Sequence, residues 1–340
     1  MIKKGKFAIL EKTNSKLKIK NLNLPALKKN QILVKIIYTG ICGSQIMEID
    51  GKRGFDKYLP HALGHEASGI IIDKHKSIKK FKINDQIIVS WIKNNYKDSE
   101  KIFYLDGRKK INAGYANTFS NYAIISKNRC FKKPNILSMN EAALYGCAVP
   151  TGFGMVSSLK VNKNSKVIIT GFGGIGFFVY LTLKSKGIKN IIIIDKNYHK
   201  QKIAKKLGLK NILNNINSKK VEKIFQSKAD YCFETTGSAE MIEKSFKNLK
   251  DSGTLRFASH PKKGELIKID PYDLIKGKKI LGTWGGNINL GKQLNHMANI
   301  LSKFKKEIRV ITKKTYSLDK INDVIQNFKR GKILRPLIKL

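Results

Sequence analysis

Three residues of this chain carry chemistry that their neighbours do not. Cys42 sits in a glycine-flanked turn, TGICGS; His65 stands beside Glu66 in PHALGHEASG; Cys147 follows Gly146 in YGCAVP. One imidazole and two thiolates form a soft donor set. Zinc takes such donors tetrahedrally, and three protein ligands leave its fourth position to water or substrate. Taken alone, His65 reads more readily as a core imidazole; the two cysteines turn the reading toward a metal. Spacing this wide along the chain does not decide the matter.

A second constellation binds phosphate by geometry. TGFGGIG puts Gly171, Gly173 and Gly176 in the G-x-G-x-x-G spacing, with Gly174 between them. An apolar run, SKVIIT, precedes the turn, an apolar helical stretch follows it, and Asp195 ends the next run, NIIIID. That context makes the turn a dinucleotide site: the first glycine allows the tight turn, the second admits a pyrophosphate to the backbone N–H groups, and the third lets the helix lie close to the sheet. The pyrophosphate rests on the positive end of the helix. Asp195 would accept hydrogen bonds from the adenosine ribose and repel the extra phosphate of NADP, so NAD is favoured. Lys196 and Lys200 stand close enough to weaken that preference.

The elements that must position these groups fall into two kinds. Up to about residue 150 the chain reads as strands separated by turns: QILVKIIYTGICG, SGIIIDKH, DQIIVSWI and TFSNYAIIS. From there strand and helix alternate, with near-continuous apolar strands, which implies a doubly wound parallel sheet with helices on both faces. Helical stretches at 288–305 and 318–330 precede the closing RPLIKL. The expected α/β organisation is a mostly-β domain over 1–149, a nucleotide-binding domain over 150–285 and a return to the first domain over 286–340.

With 340 residues, 41% of them hydrophobic, the chain can bury a sizeable core. Its formal net charge of +43 raises nucleic acid as a partner. However, 60 of the 67 basic residues are Lys, scattered through every segment, whereas bidentate readout of phosphate and guanine favours Arg. A solvated surface is the plainer reading, with no specific nucleic acid and no membrane. The apolar window at 167–183 carries four glycines within six residues and breaks into strand, turn and helix. No secretory segment is legible at the start, where FAIL is far too short for one. A cytoplasmic location with reduced thiols is therefore expected, and Cys130 and Cys232 read as inert.

The motifs GICGS, GHEASG, GCAVPTGFG, GFGGIG, DKNYHK, GTWGG and SLDKINDVIQNFKRGKILRPLI occur in the order and approximate spacing of the zinc-dependent, medium-chain alcohol dehydrogenases. The chain resembles that family over nearly its whole length, several stretches looking most like the glutathione-dependent formaldehyde dehydrogenase branch. The resemblance implies a GroES-like catalytic domain joined to a Rossmann domain, one catalytic zinc, and NAD in preference to NADP. It also implies a small alcohol or carbonyl substrate and a homo-oligomer, dimer or tetramer. It assigns Cys42, His65 and Cys147 as zinc ligands, with Glu66 behind them and able to approach the metal. Ser44 becomes the hydroxyl that takes the substrate proton, and Thr151 the neighbour of the nicotinamide. Asp195 and Lys200 become the ribose-binding pair, and Arg335 a contact to the cofactor phosphates.

The sequence departs from the family pattern in four places. The stretch 91–115 lacks the four cysteines that hold a second, structural zinc in many members. Gln45 replaces an Asp that orients the zinc histidine, Met47 a relay histidine, and Gly43 a phosphate-binding Arg. His61 is a candidate for the substrate-cleft wall. A polyol or polyol-phosphate substrate is the alternative reading.

Overall fold

The computed structural model describes every residue except Met1 and Tyr96. The chain forms two compact units. The first takes in residues through Cys147 together with Asn289–Arg330 and Arg335–Leu340; the second comprises Ala148–Ile288 and Gly331–Leu334. Cys147 is thus the last residue of the first unit before the chain leaves it. The short return of residues 331–334 to the second unit was not anticipated, nor was the inclusion there of residues 286–288. Gly331 accounts for part of it: at φ +69 its backbone lies against Asn197, leaving no room for a side chain.

Two β-structures build the first unit. Strands Lys4–Leu10, Lys18–Asn23, Ile102–Asp106, Lys109–Gly114 and His61–Ala62 close a small barrel. A second sheet runs in the order Cys130–Lys132, Gln86–Ser90, Glu66–Lys74, Gln31–Gly40, Leu337–Lys339, Thr315–Ser317, and Tyr122–Ser126 also pairs with Gln31–Gly40. Alternation in QILVKIIYTG explains why that strand serves two cores. Ile32, Val34 and Ile36 pack with Ile71, Ile87 and Val89, while Leu33 faces Phe7, Tyr104 and Ile124. The C-terminal strand Leu337–Lys339 pairs antiparallel with Tyr38–Gly40, which carries the end of the chain to the place where Cys42 begins.

In the second unit six parallel strands lie in the order Asn211–Leu213, Ile191–Ile194, Val167–Thr170, Ala229–Glu234, Leu249–Phe257, Lys279–Gly282. The order reverses beside Val167–Thr170, the strand that enters the glycine turn, and such a switch point is where open α/β sheets bind ligands. Both Val167–Thr170 and Ile191–Ile194 are buried along their whole length, as strands covered on two faces must be. Among the described residues no helix is long and apolar enough to cross a membrane.

Candidate active site

The three residues singled out for metal binding converge. One ligand atom from each of Cys42, His65 and Cys147 can be chosen so that all lie within 4.8 Å of one another, and among the described residues no other group of three such side chains does this. The two sulfurs stand 3.9 Å apart. His65 Nε2 is sealed from solvent and has no hydrogen-bond partner. A buried imidazole nitrogen left unpaired is costly unless something else occupies its lone pair or proton. Beside two thiols, a zinc ion fits that requirement, and the residues present suit it.

Local structure explains how distant segments meet. Cys42 follows the strand Gln31–Gly40 and precedes the helix Gly43–Ile49, where its N–H donates to Gln45 Oε1 at 2.8 Å. His65 immediately precedes the strand Glu66–Lys74, and Glu66, its first residue, pairs in register with Ser90. Ser90 Oγ in turn donates to the Gly146 carbonyl at 2.6 Å, which fixes the residue before Cys147. Thr39 Oγ1 donates to the Glu66 carbonyl at 2.8 Å. The glycines that drew attention in the sequence have a packing cause: a Cβ on Gly146 would sit 2.7 Å from Glu66 Cβ, and one on Gly40 would collide with the Glu66 carboxylate. They make room for Glu66.

Electrostatics at the site are dominated by five groups, Cys42, His65, Glu66, Cys147 and Arg335. The hydrogen bond from Cys147 holds the Cys42 thiol well below its ordinary pKa, with Arg335 and His65 adding to the effect; the same contact pushes Cys147 upward. Burial raises the Glu66 carboxyl, and Arg335 opposes it. Arg335 Nη2 meets Glu66 Oε1 at 2.5 Å with both side chains buried. Nothing in the local sequence pointed to this partner for Arg335. Ser44 lies in the first turn of the helix Gly43–Ile49, half-buried, as is Met47. Gln45 Nε2 is buried without a partner, its oxygen being spent on Cys42 N–H. His61 pairs with Asp56, Nε2 to Oδ2 at 2.8 Å.

In the second unit the glycine turn joins the strand Val167–Thr170 to the helix Gly174–Ser185. Gly171 turns the chain at φ +85, and a Cβ on Gly176 would strike the Gly171 carbonyl, so the helix can approach the turn only without one. Gly173 caps the helix with no side-chain partner, and nothing lies within 4 Å of where its Cβ would point. Gly174 is buried as the first helical residue. Asp195 is buried at the end of its strand; Oδ2 accepts from Phe172 N at 2.7 Å and Oδ1 from Asn197 N at 2.8 Å. Lys200 Nζ stands 3.5 Å from Oδ2. Thr151 is buried in the helix Ala148–Ser157.

Two features of this unit escaped the sequence reading. A cavity of about 430 Å³ opens at the C-terminal ends of Leu249–Phe257 and Lys279–Gly282, lined by Ser259, His260, Thr283, Trp284 and Asn287 among others, and Thr283 Oγ1 is without a partner there. Thr235 Oγ1 donates to the Gly171 carbonyl at 2.8 Å, tying a second turn to the glycine turn. The polar run ETTG at the end of an apolar strand was the available signal.

Residues 28–135 match the model of the alcohol dehydrogenase GroES-like domain, and residues 174–303 that of the zinc-binding dehydrogenases. The chain belongs to the zinc-type medium-chain alcohol dehydrogenase family. Alcohol dehydrogenase 6 of Peromyscus maniculatus is 25% identical to this dehydrogenase, the match covering 98% of the chain and 97% of that protein. S-(hydroxymethyl)glutathione dehydrogenase of Photobacterium damsela subsp. piscicida is also 25% identical, over 95% and 96% of the two chains. The crystal structure of benzyl alcohol dehydrogenase from Acinetobacter calcoaceticus shares the fold of the dehydrogenase, with a TM-score of 0.88 over the full length of both chains at 23% identity.

Proposed function

We propose that this dehydrogenase interconverts an alcohol and its carbonyl with NAD, using one zinc held by Cys42, His65 and Cys147. The observation that carries the reading is the convergence of two thiols and an imidazole whose Nε2 is buried and unpaired. When bound, zinc supplies Lewis acidity that lowers the substrate hydroxyl pKa or polarises a carbonyl, and the nicotinamide supplies or accepts the hydride.

The chain's own residues divide the remaining work. Ser44, two residues beyond a ligand on the same helical turn, takes the substrate hydroxyl proton at its Oγ and passes it outward. Met47 has no proton to exchange, so the onward path runs through solvent or through another group. Gln45 fixes the Cys42 backbone. Glu66, packed behind the ligands, faces Arg335, and the two charges offset one another so that the ligand thiolates set the local potential.

For the nucleotide, the free helix end at Gly173–Gly174 receives the pyrophosphate, and Asp195 with Lys200 receives the adenosine ribose. Two backbone N–H groups hold the Asp195 carboxylate in place, which favours NAD over NADP. Arg335 assists at the cofactor phosphates only if it leaves Glu66. The 430 Å³ cavity, with Thr283 Oγ1 unpaired on its wall, suits the amide end of the nicotinamide. Lys279–Gly282 is the terminal strand of its sheet, with Leu281, Ile275 and Trp284 exposed nearby; a second copy of the chain pairing there would form the dimer. All four cysteines are free and buried, in keeping with a reducing cytoplasm.

The test is a panel of alcohols and carbonyls followed by absorbance of the reduced nucleotide, with NAD and NADP in parallel, before and after zinc is stripped by a chelator and restored. Zinc-dependent turnover with kcat/KM higher for NAD is expected. Turnover untouched by complete zinc removal would exclude the metal role, and a higher kcat/KM for NADP would reverse the cofactor assignment.

A further inference from the structure

Glu234 ends the strand Ala229–Glu234 and is completely buried. It lies beside the strand that enters the glycine turn, in register with Thr170. A carboxylate sealed from water is costly unless its oxygens find donors. Here the donors all come from the turn that follows. Oε1 accepts from Thr236 N at 2.6 Å and from Thr236 Oγ1, and Oε2 accepts from Gly237 N at 3.4 Å. Among the described residues no Lys, Arg or His forms an ion pair with it. The carboxylate therefore acts on the shape of its own turn.

That turn touches both ends of the nucleotide region. Thr235 N donates to the Thr170 carbonyl at 2.9 Å, and Thr235 Oγ1 donates to the Gly171 carbonyl. Thr236 Cγ2 lies 2.8 Å from where a Cβ on Gly171 would stand, so the turn packs directly on the first glycine. On the other side the Thr235 carbonyl accepts from Ser259 Oγ at 3.0 Å, and Ser259 lines the 430 Å³ cavity. Gly237, at φ +74, lies against the His260 carbonyl.

We propose that Glu234 is a positioning residue for the dinucleotide: its carboxylate clamps the turn 235–237, and that turn fixes the glycine turn on one side and the wall of the cavity at Ser259 on the other. Glu234 does not touch the nucleotide; it sets the nucleotide's affinity through Thr235. This rests on the reading of the glycine turn as the dinucleotide site. Glu234→Gln keeps the shape but turns one acceptor oxygen into an amide NH2, a donor that must face another donor. Thr235→Val keeps the volume and removes only the hydroxyl that reaches Gly171.

The experiment titrates NADH and NADPH by fluorescence into the zinc-loaded wild-type protein, Glu234→Gln, Thr235→Val and the exposed control Glu240→Gln, with thermal unfolding of each. Kd for the preferred nucleotide is expected to rise about 5- to 20-fold in Glu234→Gln and in the same direction in Thr235→Val. Nucleotide KM should rise in step, while kcat at saturating nucleotide stays within about threefold and Glu240→Gln matches wild type. A folded Glu234→Gln that binds within about twofold of wild type would overturn the proposal. If that variant does not fold, an unchanged Kd in Thr235→Val would overturn it instead. Failure of wild type to bind either nucleotide would refute the site itself, and the proposal would fall with it.

Discussion

The Glu66 carboxylate and the Arg335 guanidinium meet at 2.5 Å, with Arg335 3% exposed and Glu66 fully buried. They come from opposite ends of the chain. The strand Leu337–Lys339 brings Arg335 to the Cys42 turn, where Ile41 N donates to the Pro336 carbonyl at 3.0 Å. Removing one partner leaves a buried charge uncompensated. Arg335→Met or Glu66→Gln is expected to cost about 3 to 5 kcal/mol in urea unfolding, and the double variant less than the sum. Single variants costing under about 1 kcal/mol would show that the pair is not buried as described.

The lobe after Ser90 is held by Asp98. Its carboxylate accepts from Arg129 Nε at 3.0 Å, from Arg129 Nη2 at 3.1 Å and from Asn128 Nδ2 at 2.8 Å. Asp98→Ala is expected to lower stability by about 1 to 3 kcal/mol and to speed amide exchange in the described residues of 91–101. Unchanged exchange there would remove Asp98 from its role as the lobe's clamp.

Stability should respond to pH through two acids of opposite sign. Burial pushes Glu234 up to about 7, despite hydrogen bonds from Thr236 and Gly237 that pull the other way. A raised folded pKa gives a contribution that is complete below about 4.5 and lost as pH rises through about 7, at most about 3 kcal/mol. Lys18 and Lys20, by hydrogen bonds, bring Glu11 down to about 2. Its contribution is complete above about 4.5 and lost as pH falls through about 2, and solvent screening limits it to about 1 kcal/mol. Chemical unfolding at pH 5.5 and pH 8 should therefore show the gap between wild type and Glu234→Gln changing by about 1 to 3 kcal/mol. A gap that stays constant would mean that Glu234 does not titrate in this range.

Much of this architecture was legible because the residues that build it obey local rules. IIII could only be a strand covered on both faces, and TGFGGIG after VIIT could only be a turn into a helix. The helix Ala148–Ser157 was not legible. Its sequence AVPTGFGMVS holds a proline and two glycines and reads as a loop by propensity. Tertiary packing overrides that: Gly152 would place a Cβ 2.7 Å from Phe178 Cβ, and Gly154 lies against Gly286. The hairpin Ile102–Asp106 with Lys109–Gly114 was hidden in a stretch noted only for what it lacks, although Tyr104 is buried between the exposed Phe103 and Leu105, and Asp106-Gly107 marks the turn. At the site, the two cysteines and the histidine that converge were visible in the sequence. The Glu66–Arg335 pair and the Ser90–Gly146 bond were not, since contacts across hundreds or tens of residues leave no local pattern.

The helix end at the glycine turn admits a direct steric test. Gly173→Ala adds a methyl group where nothing lies within 4 Å, so the fold should tolerate it with a stability change under about 1 kcal/mol. The same methyl group stands where the pyrophosphate would approach, and nucleotide affinity should fall at least about tenfold. Calorimetry of NADH binding checks both. Unimpaired binding would move the pyrophosphate away from Gly173.

Zinc K-edge X-ray absorption on the purified protein tests the central claim most directly. With Cys42, His65 and Cys147 as ligands, one zinc per chain should show two sulfur scatterers at about 2.3 Å, one imidazole nitrogen at about 2.0 to 2.1 Å and one further light atom. In Cys147→Ala a sulfur scatterer or the zinc itself should be lost. A shell of four sulfurs, a shell without sulfur, or a chain that binds no zinc would contradict the account.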